Sequence, residues 1–385
     1  MSSDVLRDLE KAISSTIANI SKEGWKLRVV ASYDVDALIA AGIIIRYLQQ
    51  NNVRYEFLPL PTGVKFKSND ETPTFALDVD VHGPQYYISF TKGSNLGISK
   101  LGKNLVVSTP YYSALFIKVL ENLMILTNDV RYYSLGATLS KLIPRIKVKH
   151  IDANVKNLLS ELCDINLIKV VRGIKIFNYS VLDIANALKT SLDIFIPGYS
   201  GVDVDRDVKG LSEEDLIKDL INKLEATTQT KVLSNDLYGE NYLITQEWLF
   251  KDAYEFTYAL LSFLDLHGAY YLTASLIISN YTSYIKQLYR AVFKDIVSNI
   301  YKIIDSKEAI SRVKQGVYKV RLGRLTPLTP ISKVLKSLIL PTNSLIVYEL
   351  DDFLYVPLSE VTDVKLLVKD DYEVVGGLIK FKELR

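Results

Sequence analysis

Two pairs of aspartates follow predicted strands in the first quarter of the chain. Asp34 and Asp36 come after the strand-like segment WKLRVVASY, and Asp78 and Asp80 come after PTFAL. Because the carboxyl ends of parallel strands meet at one edge of a sheet, we expect these carboxylates to converge. Carboxylate oxygens bind Mg²⁺ and Mn²⁺, and two such ions about 3.5–4 Å apart can activate water for phosphodiester hydrolysis. The spacing is therefore compatible with a two-metal hydrolase site.

A structural role for the same aspartates is equally compatible with the spacing. An aspartate between a strand and a helix commonly caps the helix or remains solvated. The histidines that usually complete a two-metal site are scarce, since the chain has three, His82, His150 and His267. The single cysteine, Cys163, excludes an intrachain disulfide and a thiolate-rich zinc site. The residue types alone leave both interpretations open.

The elements that must position these aspartates follow from the hydrophobic pattern. Residues 4–20 have helical spacing. Strand-like and helix-like segments then alternate. The strand-like segments are WKLRVVASY, RYEFLPLP, PTFALDVDV, QYYISF and NLVVST, and the helix-like ones are ALIAAGIIIRYLQQNN and YYSALFIKVLENLMIL. This alternation predicts an α/β fold with a parallel sheet covered on both faces. Residues 248–307 have helical spacing, and after Lys314 short strand-like runs, among them VKLLVKD, predict a smaller mixed domain.

The bulk composition indicates a soluble globular protein. The 385 residues carry a formal net charge of +2, so the overall charge gives no argument for nucleic-acid binding. The sequence has no signal-peptide pattern and no apolar run long enough to cross a membrane. We therefore expect a cytoplasmic protein without a membrane partner.

An ordered set of segments resembles the RecJ-like DHH phosphoesterase superfamily. ASYDVDALIAAGIII is similar to its first motif and FALDVDVHG to its second, while YYSALFIKVL and YYSLGATLS resemble the regions of its third and fourth. SLDIFIPGYSG resembles a loop of archaeal RecJ-like proteins, and VVGGLIKF resembles the end of a DHHA1 domain. The resemblance implies a two-lobed fold, with a degenerate DHH-like domain at 1–165, a largely helical connector at 166–310 and a DHHA1-like domain at 311–385.

The first domain departs from the superfamily at the positions of its metal ligands. Ser32 stands in place of the first-motif histidine, and Ala37 replaces the glycine of that motif. Ser140 or a neighbour replaces the fourth-motif aspartate, and the third-motif Asp-His-His is replaced by Ser89, Phe90 and Thr91. The resemblance thus leaves Asp34, Asp36 and Asp78 as vestigial ligands.

The last domain departs from the superfamily at its phosphate clamp. The glycine-rich segment is replaced by Lys369, Asp370 and Asp371, and its histidine by Tyr372. A two-metal reaction needs activated water and a positioned substrate, and both requirements are lost here. The resemblance accordingly implies an inactivated phosphoesterase fold with no catalytic residues, no cofactor and no working metal site.

These losses are similar to those of one branch of the superfamily, the archaeal counterparts of the cell-division-cycle forty-five replication factor. The resemblance implies a non-catalytic scaffold subunit of the replicative helicase, which bridges the GINS complex and the MCM ring. It also makes single-stranded DNA a candidate ligand and the nucleoid a candidate location.

Two other functions remain open at this stage. A manganese-dependent single-strand exonuclease would use Asp34, Asp36 and Asp78 with further ligands that the motifs do not reveal. A free-standing single-strand-binding protein would instead bind DNA without a partner and with steep salt dependence.

Two further patterns bear on binding surfaces. The densest basic segment, from Lys141 to His150, predicts a solvated edge strand, with a single-strand contact as the alternative. The tyrosine-rich stretch 254–301 indicates core positions, with some tyrosines available for a protein interface or for base stacking.

Overall fold

The computed structural model describes residues 3–67, 70–83, 86–101, 104–148, 151–203, 208, 210–228, 231–278, 281–361, 363–368 and 371–385. These residues form two lobes, each built on a β-sheet, with two long helices between them. The α/β two-lobed architecture expected from the sequence is confirmed. The domain limits at 165 and 310 stay predictions.

The first lobe is built on a mostly parallel sheet. Its strands are β1 (Lys26–Ser32), β2 (Arg54–Leu60), β4 (Thr74–Leu77), β6 (Tyr87–Lys92), β7 (Gly97–Leu101) and β8 (Asn104–Thr109), while β3 (Phe66–Lys67) and β5 (Val81–His82) form a separate pair. The order is β2-β1-β4-β6-β8-β7, and the pairs are parallel except for the antiparallel pair of β7 and β8. The chain order reverses beside β1, which creates the crevice where α/β sheets bind ligands.

Helices cover this sheet. They are α1 (Ser3–Glu23), α2 (Val35–Gln50), α3 (Tyr112–Leu120), α4 (Asn128–Leu139) and α5 (Ala153–Asp164). Helix α2 is buried almost all round because its residues are apolar on every side, and it packs against α3 and α4 as well as β1. The start of α2 is thereby held firmly at the carboxyl edge of the sheet.

The middle of the chain combines one antiparallel strand pair with helices. Strands β9 (Ile168–Ile174) and β10 (Tyr238–Ile244) pair antiparallel, and the helices are α6 (Ile184–Thr190), α7 (Glu213–Thr228), α8 (Ser234–Leu237), α9 (Ala253–Ala274) and α10 (Tyr281–Asp305). Helix α7 is capped at its start, since the backbone N–H of Asp215 donates to Ser212 Oγ at 3.2 Å. None of the helices in the described residues has the length and hydropathy that a membrane-spanning segment needs.

The second lobe is a smaller mixed sheet. It contains β11 (Ile310–Lys314), β12 (Val317–Arg321), β13 (Leu345–Leu350), β14 (Phe353–Pro357), β15 (Glu373–Val375) and β16 (Leu378–Phe381), in the order β11-β12-β13-β14-β16-β15. Helix α11 (Leu328–Leu338) packs against β14 and against both α9 and α10. The short strand-like runs after Lys314 are therefore confirmed as a mixed domain, with one exception.

The exception is VKLLVKD, which was predicted as a strand and is a short helix, α12 (Val364–Leu367). Val364, Leu367 and Val368 are each at most 5% exposed. They recur at spacings of three and four, which places them on one face of a helix, whereas a strand would alternate. The apolar run was too short for its period to be recognised.

The edge strand predicted for Lys141 to His150 is also wrong. Two 3-10 turns occupy Ser140–Leu142 and Arg145–Lys147, and Arg145 is buried. Its guanidinium donates to Asn241 Oδ1 at 2.9 Å, and its backbone N–H donates to Asp193 Oδ1 at 3.0 Å. A charge with interior partners does not mark a solvated strand. His150 lies outside the described residues.

Candidate functional site

The three aspartates that the resemblance predicts as vestigial ligands meet at the carboxyl edge of the first sheet. Asp34 and Asp36 lie between β1 and α2, and Asp78 follows β4, the neighbour of β1. Tyr112 at the start of α3 contacts two of them, since its backbone N–H donates to Asp36 Oδ2 at 2.8 Å and its hydroxyl to Asp78 Oδ1 at 3.0 Å. We call Asp34, Asp36 and Asp78 the carboxylate cluster.

Asp36 is fully buried and has its hydrogen-bonding capacity filled. One carboxylate oxygen accepts from the backbone N–H and the hydroxyl of Ser113, at 2.9 and 2.5 Å. The other accepts from the backbone N–H of Tyr112 and from the ammonium of Lys141, at 2.8 and 2.9 Å. A carboxylate offers about four lone-pair positions, so these four donors leave no oxygen free for a further ligand. Asp36 thus fixes the first turn of α3 against the sheet.

Asp34 caps the helix that follows it. Its Oδ1 accepts from the backbone N–H groups of Asp36 and Ala37, at 2.9 and 3.2 Å. These are two of the donors that the first turn of a helix leaves without intrahelical partners. The capping role that the sequence left open is therefore present.

Asp78 is held by side chains from the strands on both sides. Its Oδ2 accepts from Ser32 Oγ at 3.1 Å and lies 3.1 Å from the ammonium of Lys92. Its backbone has a φ of 57°, in the left-handed region that aspartate tolerates better than most residues. Ser32, which replaces the expected histidine, therefore orients Asp78.

Two lysine ammonium groups lie among these carboxylates. Lys92 Nζ is 3.1 Å from Asp78 Oδ2 and 3.7 Å from Asp34 Oδ2. Lys141 Nζ is 2.9 Å from Asp36 Oδ2 and 3.8 Å from Asp34 Oδ1. Asp34 therefore bridges the two ammonium groups, and each of the other aspartates binds one. Two positive charges supplied by the chain itself thus offset two of the three negative charges.

The electrostatics of the cluster keep both partners ionised. Burial by itself lowers the pKa of Lys141, but Asp36 and Asp34 outweigh it and raise the pKa above its usual value. Burial would raise the pKa of Asp34, but Lys141, Lys92 and the two capping N–H groups outweigh it and lower the pKa. Burial and the nearby Asp78 raise the pKa of Tyr112, so its hydroxyl stays protonated as a donor. The cluster is a set of ion pairs at neutral pH.

The donor set does not fit a pair of catalytic metal ions. Such ions need carboxylate or histidine ligands with free lone pairs, and here the carboxylate oxygens accept from ammonium, hydroxyl and backbone N–H groups. A positive ion would also meet repulsion from Lys92 and Lys141. In the described part of the chain, no three His, Cys, Asp or Glu side chains group as metal ligands do.

The residues at the positions predicted from the third and fourth motifs lie in different surroundings. Ser89 and Phe90 are buried in β6, and Phe90 packs on Phe116 with ring centroids 4.7 Å apart. Ser140 donates its hydroxyl to the backbone carbonyl of Ala137.

Asp80, expected to converge with the other aspartates, is exposed and has no side-chain contact with the cluster among the described residues.

Sequence reasoning missed the two lysines. Lys92 is the last residue of β6, directly after Ser89, Phe90 and Thr91, and Lys141 is the neighbour of Ser140. A lysine beside each position where a ligand was predicted to be missing was a usable signal, because carboxylates without a metal ion need another positive charge.

The predicted phosphate-clamp region carries no comparable arrangement among the residues that the structure describes. Asp371 and Tyr372 are exposed just before the edge strand β15. Lys369 and Asp370 lie outside the described residues, so their replacement of the clamp glycines stays a prediction.

Comparisons with known proteins identify the fold. A CDC45 structure from Entamoeba histolytica matches with a TM-score of 0.53 and 10% sequence identity, over 93% of this chain and 89% of that one. The chain shares the fold of that CDC45. Two manganese-bound RecJ structures match more loosely. The one from Thermus thermophilus has a TM-score of 0.42 and 11% identity, over 99% of this chain and 52% of that one. The other has a TM-score of 0.34 and 14% identity, over 98% of this chain and 89% of that one. No protein-family model and no curated protein matches the sequence.

Proposed function

We propose that this protein is a non-catalytic scaffold subunit of the archaeal replicative helicase, which bridges the GINS complex and the MCM ring. The observation that carries the proposal is the occupation of the carboxylate cluster by Lys92 and Lys141. The shared fold with a CDC45 supports the replication context. The resemblance of the sequence motifs supplies the two partners, single-stranded DNA as a further candidate ligand, and a cytoplasmic location at the nucleoid.

The two lysines would keep the fold of the first lobe stable in the absence of metal ions and of catalysis. Each ammonium links elements that a metal ion would otherwise link, because Lys92 joins β6 to the ends of β1 and β4, and Lys141 joins the end of α4 to the start of α2. A fixed internal cation needs no free metal and cannot deprotonate water as a metal ion does. The first lobe therefore keeps its shape while it loses the means to hydrolyse a phosphodiester.

The direct test of catalysis is incubation of the purified chain with end-labelled single-stranded DNA and Mn²⁺. We expect no degradation above the level of the Asp34→Ala/Asp78→Ala variant. Degradation by the wild-type chain that this variant lacks would overturn the proposal in favour of a manganese-dependent exonuclease.

The test of the scaffold role is co-purification with GINS. We expect a stable complex of the chain with GINS on size exclusion, and weak binding of single-stranded DNA by the chain alone. Tight DNA binding with a steep salt dependence and no association with GINS would instead indicate a free-standing single-strand-binding protein.

A further inference from the structure

A cavity of about 300 Å³ lies in the middle of the chain, away from the carboxylate cluster. Its wall is formed by three segments: residues 178–190, residues 249–255 and one face of α10. The α10 face carries Lys286, Tyr289, Arg290 and Phe293 at spacings of three and four. This volume is at the lower end for ligand pockets and suits one or two side chains.

The cavity is positively charged. Lys251, Lys286 and Arg290 line it, and Glu255 is the one acidic side chain among its lining residues. Glu255 already accepts from Asn178 Nδ2 at 3.0 Å, and the Lys286 ammonium donates to the backbone carbonyl of Leu249. Among the described residues, no ion pair within 4 Å joins Lys286 or Arg290 to a carboxylate. Two cations without carboxylate partners beside a cavity attract an anionic group.

The mouth of the cavity is apolar and aliphatic. Val181, Leu182 and Leu249 line it and are 43%, 40% and 41% exposed. A small anion inside the cavity would leave these three side chains in water, whereas a polypeptide would cover them. Nucleobases favour exposed aromatic rings for stacking, and this rim offers none among its exposed side chains.

A buried polar atom also lacks a partner here. Tyr289 lines the cavity with 3% of its surface exposed, and its hydroxyl has no hydrogen-bond partner in the described part of the chain. Because the oxygen itself has almost no accessible surface, Tyr289 contributes its ring to the cavity wall and not a hydrogen-bonding group to a bound molecule.

We propose that this cavity, the basic pocket, binds a short segment of a partner protein in which acidic side chains alternate with aliphatic or aromatic ones. The acidic groups contact Lys286 and Arg290, and the apolar groups pack on Val181, Leu182 and Leu249. The pocket does not depend on the proposed helicase function, since it is defined by its own charge and shape.

The test begins with a random peptide library displayed on phage and selected on the full-length chain. Enriched sequences are synthesised with a fluorescent label and titrated with the protein by anisotropy. We expect enriched peptides to combine Asp or Glu with Leu, Ile or Phe, and their affinity to fall as salt rises. Selection of peptides without acidic residues would overturn the proposal.

Two variants and two matched controls locate the binding. We expect Lys286→Glu/Arg290→Glu to weaken peptide binding at least about tenfold, and Leu182→Gln to weaken it by a smaller factor. The controls are Lys22→Glu/Lys156→Glu, with the same change of charge on α1 and α5, and Ile125→Gln, at an exposed aliphatic residue elsewhere. Neither control should alter the affinity.

Because Arg290 is exposed, we expect its substitution to leave the fold intact, so a loss of binding can be assigned to the pocket. Arg290→Glu alone should keep the wild-type unfolding midpoint and still weaken binding. Equal affinities of wild type and Arg290→Glu would refute the assignment of the pocket. An oligonucleotide that binds the wild type and is lost in the pocket variants, with no peptide enriched, would assign the surface to nucleic acid and refute it as well.

Discussion

At the scale of single residues, the cations bound to the carboxylate cluster are two lysine side chains that differ in exposure. Lys141 is 21% exposed and bound to a fully buried aspartate, whereas Lys92 is half exposed at the rim. An ion pair removed from water loses far more when one partner is deleted than a pair at the surface does. The two lysines should therefore differ sharply in their effect on stability.

Replacement of Lys141 by alanine tests this difference. We expect Lys141→Ala to lower the free energy of unfolding by about 3 kcal/mol, because Asp36 would remain buried without its cation. Lys92→Ala, the matched control, should cost about 1 kcal/mol or less. Urea unfolding measures both, and equal losses for the two variants would contradict the assigned roles.

Asp265 predicts a pH dependence of stability. Its side chain is 1% exposed and accepts from the backbone N–H and hydroxyl of Thr329, at 2.6 and 2.8 Å. Burial raises its pKa to about 7. Because the folded pKa lies above the unfolded one, protonation stabilises the native state, and this contribution is lost as pH rises through 7.

The measurement is urea unfolding at pH 5.5 and 7.5. From Asp265 alone we expect a loss of roughly 2 kcal/mol between the two pH values. Asp265→Asn has no titrating carboxyl and should lose correspondingly less over the same interval. A variant that follows the wild-type pH dependence would show that Asp265 does not titrate in this range.

The candidate site was only partly predictable at this scale. The positions of Asp34, Asp36 and Asp78 followed from the strand pattern, because strand ends meet at one sheet edge. Their partners did not follow from that pattern. Each lysine stands beside a position where a ligand was predicted to be missing, but Lys92 and Lys141 lie 49 positions apart, and the fold alone brings them to the same carboxylates. Long-range pairing of charges depends on the fold rather than on spacing.

At the scale of elements, α9 connects the two lobes by close backbone contacts. It packs against α2 and α4 of the first lobe, and Gly268 interrupts it with a φ of 79°. A Cβ atom at Gly376 would lie 2.6 Å from the backbone oxygens of Asp265 and Leu266, and the N–H of Gly377 donates to Asp265 O at 2.9 Å. The segment VVGG, noted for its resemblance to a DHHA1 domain, thus forms one of the contacts between α9 and the second lobe.

A pair of glycine substitutions tests this contact. Gly376 and Gly316 both have positive φ, 62° and 74°, but a Cβ at Gly316 would meet no atom within 4 Å. We expect Gly316→Ala to cost about 1 kcal/mol from backbone strain alone, and Gly376→Ala to cost more than about 3 kcal/mol because backbone atoms must move. Equal costs in urea unfolding would show that the lobes are not tightly joined there.

The elements themselves were more predictable than the site. Long periodic segments such as those of α1 and α10 were recognised because their apolar faces repeat over several turns. The segment from Lys141 to Lys147 was misread because its basic residues suggested solvent, whereas Lys141 and Arg145 bind interior acceptors. The composition of a segment does not predict which of its charged side chains will bind buried partners in the folded protein.

At the scale of the whole molecule, a fixed arrangement of two lobes is what a scaffold requires. The carboxylate cluster stabilises the first lobe through ion pairs, α9 joins it to the second, and the basic pocket offers a separate surface for a partner segment. The first two of these features hold elements at defined positions, as the proposed scaffold role requires.

The central claim is that the cations bound to the carboxylate cluster are lysine ammonium groups rather than metal ions. Titration of the purified chain with Mn²⁺, followed by the electron paramagnetic resonance signal of the free ion, measures this directly. We predict no binding in the micromolar range and no change when Asp34 and Asp78 are replaced by alanine. Two tightly bound Mn²⁺ ions per chain that disappear in that double variant would contradict the account.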